Sequence, residues 1–149
     1  MEAHCLFFDG ASKGNPGPSG GGGVILSPSG STRFSYAWGL GVESNNIAEY
    51  YALWQGLRQA NRLSIRKIYV FGDSRITVQA ICSKSWPSNL PLKRIYQKIQ
   101  LLAGKFQSIS FYHILRHLNS NADLEANHAT TLSRGSIREN GTETFCNIP

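Results

Sequence analysis

The sequence is divided by short apolar runs, and their length is the feature that most constrains what this chain can fold into. Residues 5–8 are apolar and are followed by Asp9 and Gly10, and residues 68–71 are apolar and are followed by Gly72. Runs of this length are typical of β-strands and fall far short of the about 20 residues that a membrane-spanning helix needs. A chain of 149 residues can also bury a core without disulfides or a structural metal. We therefore expect one compact domain that does not cross a membrane.

The order of the segments indicates an α/β fold. Apolar or alternating runs predict strands at residues 5–8, 24–26, 32–38, 68–71 and 109–115. Helix-forming or amphipathic stretches predict helices at residues 45–61, 74–83, 92–103 and 119–132. The simplest arrangement is a single mixed sheet of five strands flanked by helices, in which the first three strands form an antiparallel meander and the others run parallel.

Two segments carry weaker signals. Residues 11–23 are rich in turn formers and predict a loop. The glycine cluster within them, at 20–23, matches no GxxxxGK[ST] pattern and precedes a strand, so close backbone packing beside the first strand explains it better than a nucleotide loop does. Residues 133–149 have too few apolar side chains to pack strongly. We therefore expect a domain over residues 1–132 and a tail over residues 133–149.

Charge and cysteine content narrow the class of partner and the compartment. The chain has 15 Lys and Arg residues against nine Asp and Glu residues, a formal net charge of +6, which favours a polyanionic partner such as nucleic acid. Cys5, Cys82 and Cys146 are odd in number and lack zinc-ligand spacing, so we expect reduced thiols. Residues 1–5 do not resemble a secretory signal. We expect an intracellular protein, in either the nucleus or the cytoplasm.

Four of the nine acidic residues stand where a carboxylate is expected to meet the sheet. Asp9 closes the first strand, and Asp73 follows the fourth. Glu49 lies in the first turn of its helix, on a face of small residues that lets the helix press close to a sheet, and Asp123 lies in the first turn of the last helix. Each has an ordinary alternative: Asp73 as a helix cap, Glu49 and Asp123 as partners of helix dipoles, and Asp9 as a turn former.

As a set, these carboxylates indicate a bound cation. Two unit negative charges about 4 Å apart repel by about 4 kcal/mol at an effective dielectric constant of about 20, so convergent carboxylates need a cation between them. Oxygen ligands without His or Cys favour Mg²⁺ or Mn²⁺ over zinc. Two such ions side by side serve in-line displacement at phosphorus, where one activates water and the other stabilises the leaving oxygen.

Four motifs add a family resemblance. They are FDGASKGNPG at residues 8–17, NNIAEY at 45–50, GDS at 72–74 and RHLNSNAD at 116–123. In these motifs and their order the sequence resembles the type 1 ribonuclease H family, and more closely its short, retroelement-related (reverse-transcriptase-like) branch common in plant genomes. The resemblance extends from Leu6 to about Ala129 and implies the ribonuclease H-like fold.

The resemblance implies an enzyme with a metal centre. Its ligands would be Asp9, Glu49, Asp73 and Asp123, holding two Mg²⁺ ions for which Mn²⁺ can substitute. Members of the family hydrolyse the RNA strand of RNA/DNA hybrids and leave 3′-hydroxyl and 5′-phosphate ends. The chain would then be an endoribonuclease that binds nucleic acid and no membrane, either as a monomer or as a domain of a larger retroelement polyprotein.

The resemblance also assigns substrate contacts. They would be Gly10, Ser12, Lys13, Asn15, Asn45, Asn46, Ser74 and Arg75. Short amides and hydroxyls suit the 2′-hydroxyls of a wide minor groove, and we expect one of the two asparagines 45 and 46 also to cap its helix. Many relatives carry a mobile histidine before the last aspartate that helps product release; here Arg116 matches that neighbourhood, with His117 as the alternative. Further grip on the hybrid would come from Lys84, Lys93, Arg94 and Lys98, which could equally be ordinary solvated residues.

Two other functions remain open at this point. One is a catalytically weak or inactive module of the same fold that binds RNA/DNA hybrid or double-stranded RNA; the intact set of carboxylates argues against it, because a pure binder has no use for clustered negative charge beside a phosphate backbone. The other is a metal nuclease of the same superfamily that acts on DNA. Asn45, Asn46 and Ser12 suit the reading of 2′-hydroxyls and so favour RNA.

Overall fold

The computed structural model describes residues 2–149 and arranges them around one mixed sheet. In chain order the elements are β1 (His4–Ser12), β2 (Gly17–Leu26), β3 (Thr32–Glu43), α1 (Asn45–Arg62), β4 (Lys67–Gly72), α2 (Arg75–Ser83), α3 (Leu90–Ala103), β5 (Ser108–His113), α4 (Ser120–Ala129), β6 (Ser136–Glu139) and β7 (Thr142–Phe145), with a 3₁₀ turn at Arg116–Leu118 before α4. The strand order is β5-β4-β1-β2-β3-β6-β7. The predicted α/β class and the order of the first nine elements are confirmed.

The sheet combines both kinds of strand pairing. β1, β2 and β3 form the expected antiparallel meander, and β4 lies parallel to both β1 and β5. α1 packs on one face of β1 and β2, and α4 packs on the other. The core lies mainly between α1 and the sheet, where side chains of β1, β3 and α1 are buried; the largest of them are Trp38, Tyr36, Phe8, Leu6, Leu53 and Leu57. Across residues 2–149, no helix has the length and apolar character to cross a membrane.

The loop predicted over residues 11–23 is confined to residues 13–16, and the prediction is wrong for the rest of that range. β1 continues to Ser12 and β2 begins at Gly17, so the glycine cluster lies inside a strand. Glycine is a weak strand former and is therefore read as a breaker, but here two helices require it. A Cβ on Gly20 would collide with Ala129 of α4, and a Cβ on Gly21 would lie 2.9 Å from the Cα of Ala52 in α1. The expected close backbone packing is confirmed.

The segment after α4 also differs from expectation. Within residues 2–149 the sheet has seven strands instead of five, because β6 and β7 form a hairpin that pairs with β3. Few apolar residues are needed for this: Ile137 is 1% exposed, and the Trp38 indole Nε1 donates to the carbonyl of Cys146 at 3.1 Å. Most of the hairpin is held by backbone hydrogen bonds of β6 to β3 and of β7 to β6, and amino-acid composition gives little indication of such bonds. The tail expected over 133–149 is thus packed on the sheet from 136 to 146.

Candidate metal centre and nucleic-acid groove

Three of the four singled-out carboxylates converge at one edge of the sheet. Phe8 of β1 lies opposite Gly72 of β4 in a parallel pair, so the residues that follow them lie side by side: Asp9, still within β1, and Asp73, just past the end of β4. Glu49 joins them from α1. A ligand oxygen of each of the three lies within 4.8 Å of the other two. This spacing lets one small cation contact all three.

Glycine at position 10 lets Glu49 come this close. A Cβ on Gly10 would collide with the backbone of Ala48 and Glu49, so the first turns of α1 rest directly on β1. The start of α1 is fixed by Ser44, whose hydroxyl accepts a hydrogen bond from the Ile47 amide at 3.2 Å. The Glu49 carboxylate is therefore not used as a cap and faces the sheet, as the sequence predicted.

The site is electrostatically strained without a cation. Asp9 is 5% exposed and Glu49 is 7% exposed. Burial raises the pKa of Asp9 to about 7; a hydrogen bond with Glu49 opposes the rise, and the charges of Asp73 and Asp123 add to it. Burial, and then the charge of Asp9, raise the pKa of Glu49 well above its usual range. Both shifts have the sign expected when negative charge lacks compensation.

The donor set fits a hard divalent cation. It consists of carboxylate oxygens, the ligands that Mg²⁺ and Mn²⁺ prefer. The Oε2 atom of Glu49 is buried and has no hydrogen-bond partner in the described part of the chain, so it is free to bind an ion. The two ion pairs found within residues 2–149, Arg62–Glu139 and Arg134–Glu43, do not involve these carboxylates.

Asp123 stands beside this cluster and not inside it. It lies in the first turn of α4, and its oxygens are not among those that lie within 4.8 Å of one another. Its charge nevertheless contributes to the raised pKa of Asp9, so the two carboxylates are near neighbours. The structure thus brings together three of the predicted ligands and places the fourth next to them; its role as a ligand stays a prediction.

The capping residues differ in part from expectation. Ser74, not Asp73, caps α2, and its hydroxyl accepts a hydrogen bond from the Thr77 amide at 3.4 Å. The expectation that Asn45 or Asn46 caps α1 is wrong, because Ser44 occupies that position. A serine hydroxyl placed one residue earlier leaves both asparagine side chains exposed at the helix start. Their amides are therefore available to a ligand.

Asn119 is the residue that sequence reasoning missed. Its side chain is buried, and its Nδ2 donates to the carbonyl of Phe8 at 2.9 Å and to Oδ2 of Asp73 at 3.2 Å. Its backbone carbonyl accepts from the Asp123 amide at 3.0 Å. One residue therefore ties together the ends of β1 and β4 and the start of α4. The available signal was the position of Asn119 within the fourth motif, four residues before Asp123. From the sequence alone, however, an asparagine at this position cannot be distinguished from an ordinary helix cap.

A groove runs from the carboxylates along the start of α1. Its lining residues are Gly10, Asn15, Asn45, Asn46, Glu49, Asp73, Ser74, Ile76 and Arg116. Five of the eight predicted substrate contacts thus line one groove, and Arg116, not His117, is the neighbouring basic residue that reaches it. The Oδ1 atom of Asn15 accepts from the Asn45 amide at 3.1 Å, which joins the β1–β2 connection to α1.

The other three predicted contacts lie outside this groove. The Ser12 hydroxyl turns inward and donates to backbone carbonyls, among them that of Glu43 at 2.9 Å and that of Gly14. Ser12 therefore fixes the β1–β2 connection to the end of β3. Lys13 and Arg75 are exposed and are not among the residues that line the groove. Their contacts with a substrate stay predictions.

The comparison with known proteins decides the family. Residues 7–129 match the family model described as reverse transcriptase-like. The chain belongs to this family. Ribonuclease HI of Halobacterium salinarum is 36% identical over 124 residues, which is 83% of this chain and 62% of that protein. The bifunctional protein Rv2228c of Mycobacterium tuberculosis is 34% identical over 122 residues, 81% of this chain and 34% of that protein. This family member thus spans about a third of the length of its mycobacterial relatives.

Solved structures of the same relatives show the fold of this family member. The crystal structure of RNase H1 from Halobacterium salinarum matches with a TM-score of 0.82 and 32% identity, over 85% of this chain and 96% of that one. The N-terminal RNase H domain of Rv2228c matches with a TM-score of 0.83 and 30% identity, over 87% and 94%. The predicted family and the ribonuclease H fold are confirmed.

Proposed function

We propose that this chain is a metal-dependent endonuclease that hydrolyses the RNA strand of RNA/DNA hybrids and leaves 5′-phosphate ends. The observation that carries the proposal is the convergence of Asp9, Glu49 and Asp73, within 4.8 Å of one another, at the end of a groove lined by amides and Arg116. The relative in Halobacterium salinarum is named a ribonuclease HI. A further neighbour, LC11-RNase H1, at a TM-score of 0.79 and 29% identity over 85% of this chain and 96% of that one, was solved in complex with an RNA/DNA hybrid.

The four carboxylates would hold the catalytic ions. Asp9, Glu49 and Asp73 offer the oxygens that already lie together, and Asp123 would complete the set from α4. When bound there, two Mg²⁺ ions supply activation of the attacking water and stabilisation of the leaving oxygen. The chain's own contribution is to hold the ligands in place before the substrate arrives. Asn119 does this for Asp73, and the close packing of α1 on Gly10 does it for Glu49.

The groove residues would orient the duplex. Asn45 and Asn46 are exposed at the start of α1, with Ser44 as the cap, so their amides can both donate to and accept from 2′-hydroxyls, the groups that distinguish RNA from DNA. Arg116 lines the same groove as Asp73 and Ser74. Its guanidinium offers a cation to the phosphate beside the carboxylates. We place the step that releases the 5′-phosphate product at this residue.

Two features of the wider context stay predictions. The expected monomer or polyprotein domain is consistent with the longer relatives, in which the matched region is about a third of the whole. The expected intracellular location also stays a prediction.

The proposal is tested by Asp73→Asn. The change removes one charge from the cluster while preserving the hydrogen bond from Asn119, so we expect cleavage of the hybrid to fall at least about 100-fold while hybrid binding is unchanged or tighter. The matched control is Glu143→Gln, which removes an exposed carboxylate on β7 and should leave cleavage at the wild-type rate. Turnover retained in Asp73→Asn would contradict the assignment, and binding without cleavage by the wild type would favour the inactive module.

A further inference from the structure

Arg134 lies beyond the part of the chain that defines the family. It follows α4 and precedes β6, outside the matched residues 7–129. Its Nη1 donates to the carbonyl of Leu40 at 2.8 Å and lies 3.7 Å from Oε2 of Glu43. The aliphatic part of the side chain lies over Gly41, where an added Cβ would be 3.3 Å from Cδ of Arg134. The arginine is thus held against the end of β3.

The end of β3 is joined to the β1–β2 connection and to the start of α1, which line the groove, although no residue of β3 lines it itself. Glu43 stands two residues before Asn45, and its carbonyl accepts hydrogen bonds from the hydroxyls of Ser12 and Ser19 at 2.9 and 2.8 Å. These bonds fix it to the β1–β2 connection, which carries Lys13 and Asn15. Arg134 is therefore held by the end of β3, which is hydrogen-bonded to the β1–β2 connection and leads directly into α1, the two elements that carry the groove amides.

The strand order places Arg134 across the carboxylates from Arg116. Arg116 follows β5, at one end of the order β5-β4-β1-β2-β3-β6-β7, and Arg134 precedes β6, the strand next to the other end. Asp9 and Asp73, on β1 and after β4, lie between them. With neighbouring strands about 4.8 Å apart, three strand spacings separate β1 from β6 by about 14 Å. At that distance Arg134 and the carboxylates cannot contact the same phosphate, but both can contact one bound duplex.

The guanidinium has donors to spare. The Arg134 side chain is 58% exposed, and within the described chain its hydrogen bonds use one N–H group. The 3.7 Å separation from Glu43 is too long for a direct hydrogen bond, and exposed pairs of this kind contribute little to stability. A planar guanidinium that is already held in place and still has free N–H groups suits phosphate recognition.

Resting on the proposed function, we propose that Arg134 contacts a backbone phosphate of the bound hybrid at a position away from the cleaved one. The connection between α4 and β6 then carries a cation that extends the nucleic-acid surface past the β1–β2 connection. The Leu40 carbonyl holds the guanidinium from one side, and the phosphate binds the N–H groups that remain free.

The salt dependence of hybrid binding tests this contact. Each phosphate contact contributes about 0.9 to the slope of log K against log salt on a B-form duplex. We expect Arg134→Gln to lower that slope by about one and to weaken binding several-fold at low salt, and Arg134→Lys to keep the wild-type slope. Binding is measured in chelator, so that the hybrid stays intact. The matched control is Arg138→Gln on β6, whose side chain contacts Nε2 of His128 at 2.9 Å on the α4 side.

A second variant separates phosphate contact from anchoring of the hairpin. Glu43→Gln should tighten binding in the wild-type background and have a smaller effect in Arg134→Gln, because the Glu43 carboxylate, 3.7 Å from the guanidinium, competes with the phosphate only where the arginine is present. A wild-type slope in Arg134→Gln, or equal effects of Glu43→Gln in both backgrounds, would overturn the proposal. If the wild type does not cleave the hybrid, the proposed function fails; if it cleaves and these slopes do not change, only the role of Arg134 fails.

Discussion

At the scale of single residues, the site is built from carboxylates that are poorly stabilised in the free protein. Asp9 and Glu49 are buried with raised pKa values, and Asn119 is the neutral group that holds Asp73. The motifs of the sequence were sufficient to predict that Asp9, Glu49 and Asp73 meet, whereas Asp123, predicted with them, lies beside the cluster. They were not sufficient to predict Asn119, because a buried amide that spans three elements depends on how β1, β4 and α4 pack, and a sequence does not display that packing.

The raised pKa of Asp9 makes the stability of the metal-free protein depend on pH. The ordinary pKa is 3.8 and the folded value is about 7, so between these values the folded state holds a proton that the unfolded state has released. The free energy of unfolding therefore falls as pH rises from about 4 to about 7. We expect Asp9→Asn to flatten this dependence and to be more stable than the wild type at pH 8 by more than about 1 kcal/mol.

Urea unfolding in chelator at several pH values measures this, with Glu143→Gln as the control that keeps the wild-type profile. Mg²⁺ added at pH 8 should raise the stability of the wild type, because an ion that binds only the folded state stabilises it. Identical pH profiles for the wild type and Asp9→Asn would contradict the assigned burial of charge.

Asn119 is predicted to be a positioning residue. Replacing it with Ala removes the hydrogen bonds to Phe8 and Asp73, and partners of metal ligands typically change metal affinity or activity by about 10- to 100-fold. We expect Asn119→Ala to lower activity within that range and to raise the Mg²⁺ concentration needed for half-maximal rate. Asn121→Ala, an exposed change on the same helix, should do neither. A lower melting temperature with an unchanged Mg²⁺ requirement would show a purely structural role.

At the scale of elements, β2 is the strand whose extent could not be predicted from the sequence. Its glycines are read as a loop by propensity, yet α1 and α4 press on its two faces and exclude side chains. α1 was predictable from its helix formers, although its cap is Ser44 and not one of the two asparagines, and β4 was predictable from its β-branched and aromatic run. The hairpin β6–β7 was not, because pairing with β3 adds stability through backbone hydrogen bonds that composition does not record.

Gly22→Ala tests the role of that close packing. The added methyl group would collide with the backbone of α4 at Glu125 and Ala126. Overpacking of this kind typically costs about 1–3 kcal/mol, and displacement of α4 also moves Asp123, so activity should fall in the folded fraction as well. The control is Gly104→Ala at the end of α3, where φ is −66° and the nearest atoms lie 3.6 Å from an added Cβ. Wild-type stability in Gly22→Ala would contradict the packing argument.

At the scale of the whole molecule, the carboxylates and the groove residues lie at one edge of the sheet. The ends of β1 and β4 and the starts of α1, α2 and α4 meet there, and the described chain places its carboxylate cluster in a groove that Arg116 also reaches. The chain nevertheless carries a net charge of +6, so its other surfaces attract a polyanion toward the negative centre. This combination suits an enzyme that binds a phosphate backbone and needs cations to bring it close.

The most direct test is a cleavage assay with the RNA strand end-labelled. Hybrid, double-stranded RNA, double-stranded DNA and single-stranded RNA are each incubated with the protein in Mg²⁺, in Mn²⁺ or in chelator. The account predicts cleavage of the hybrid's RNA strand in either metal, products with 5′-phosphates, and no cleavage in chelator or of the other three substrates. Hybrid binding without cleavage in either metal, or cleavage of DNA, would contradict it.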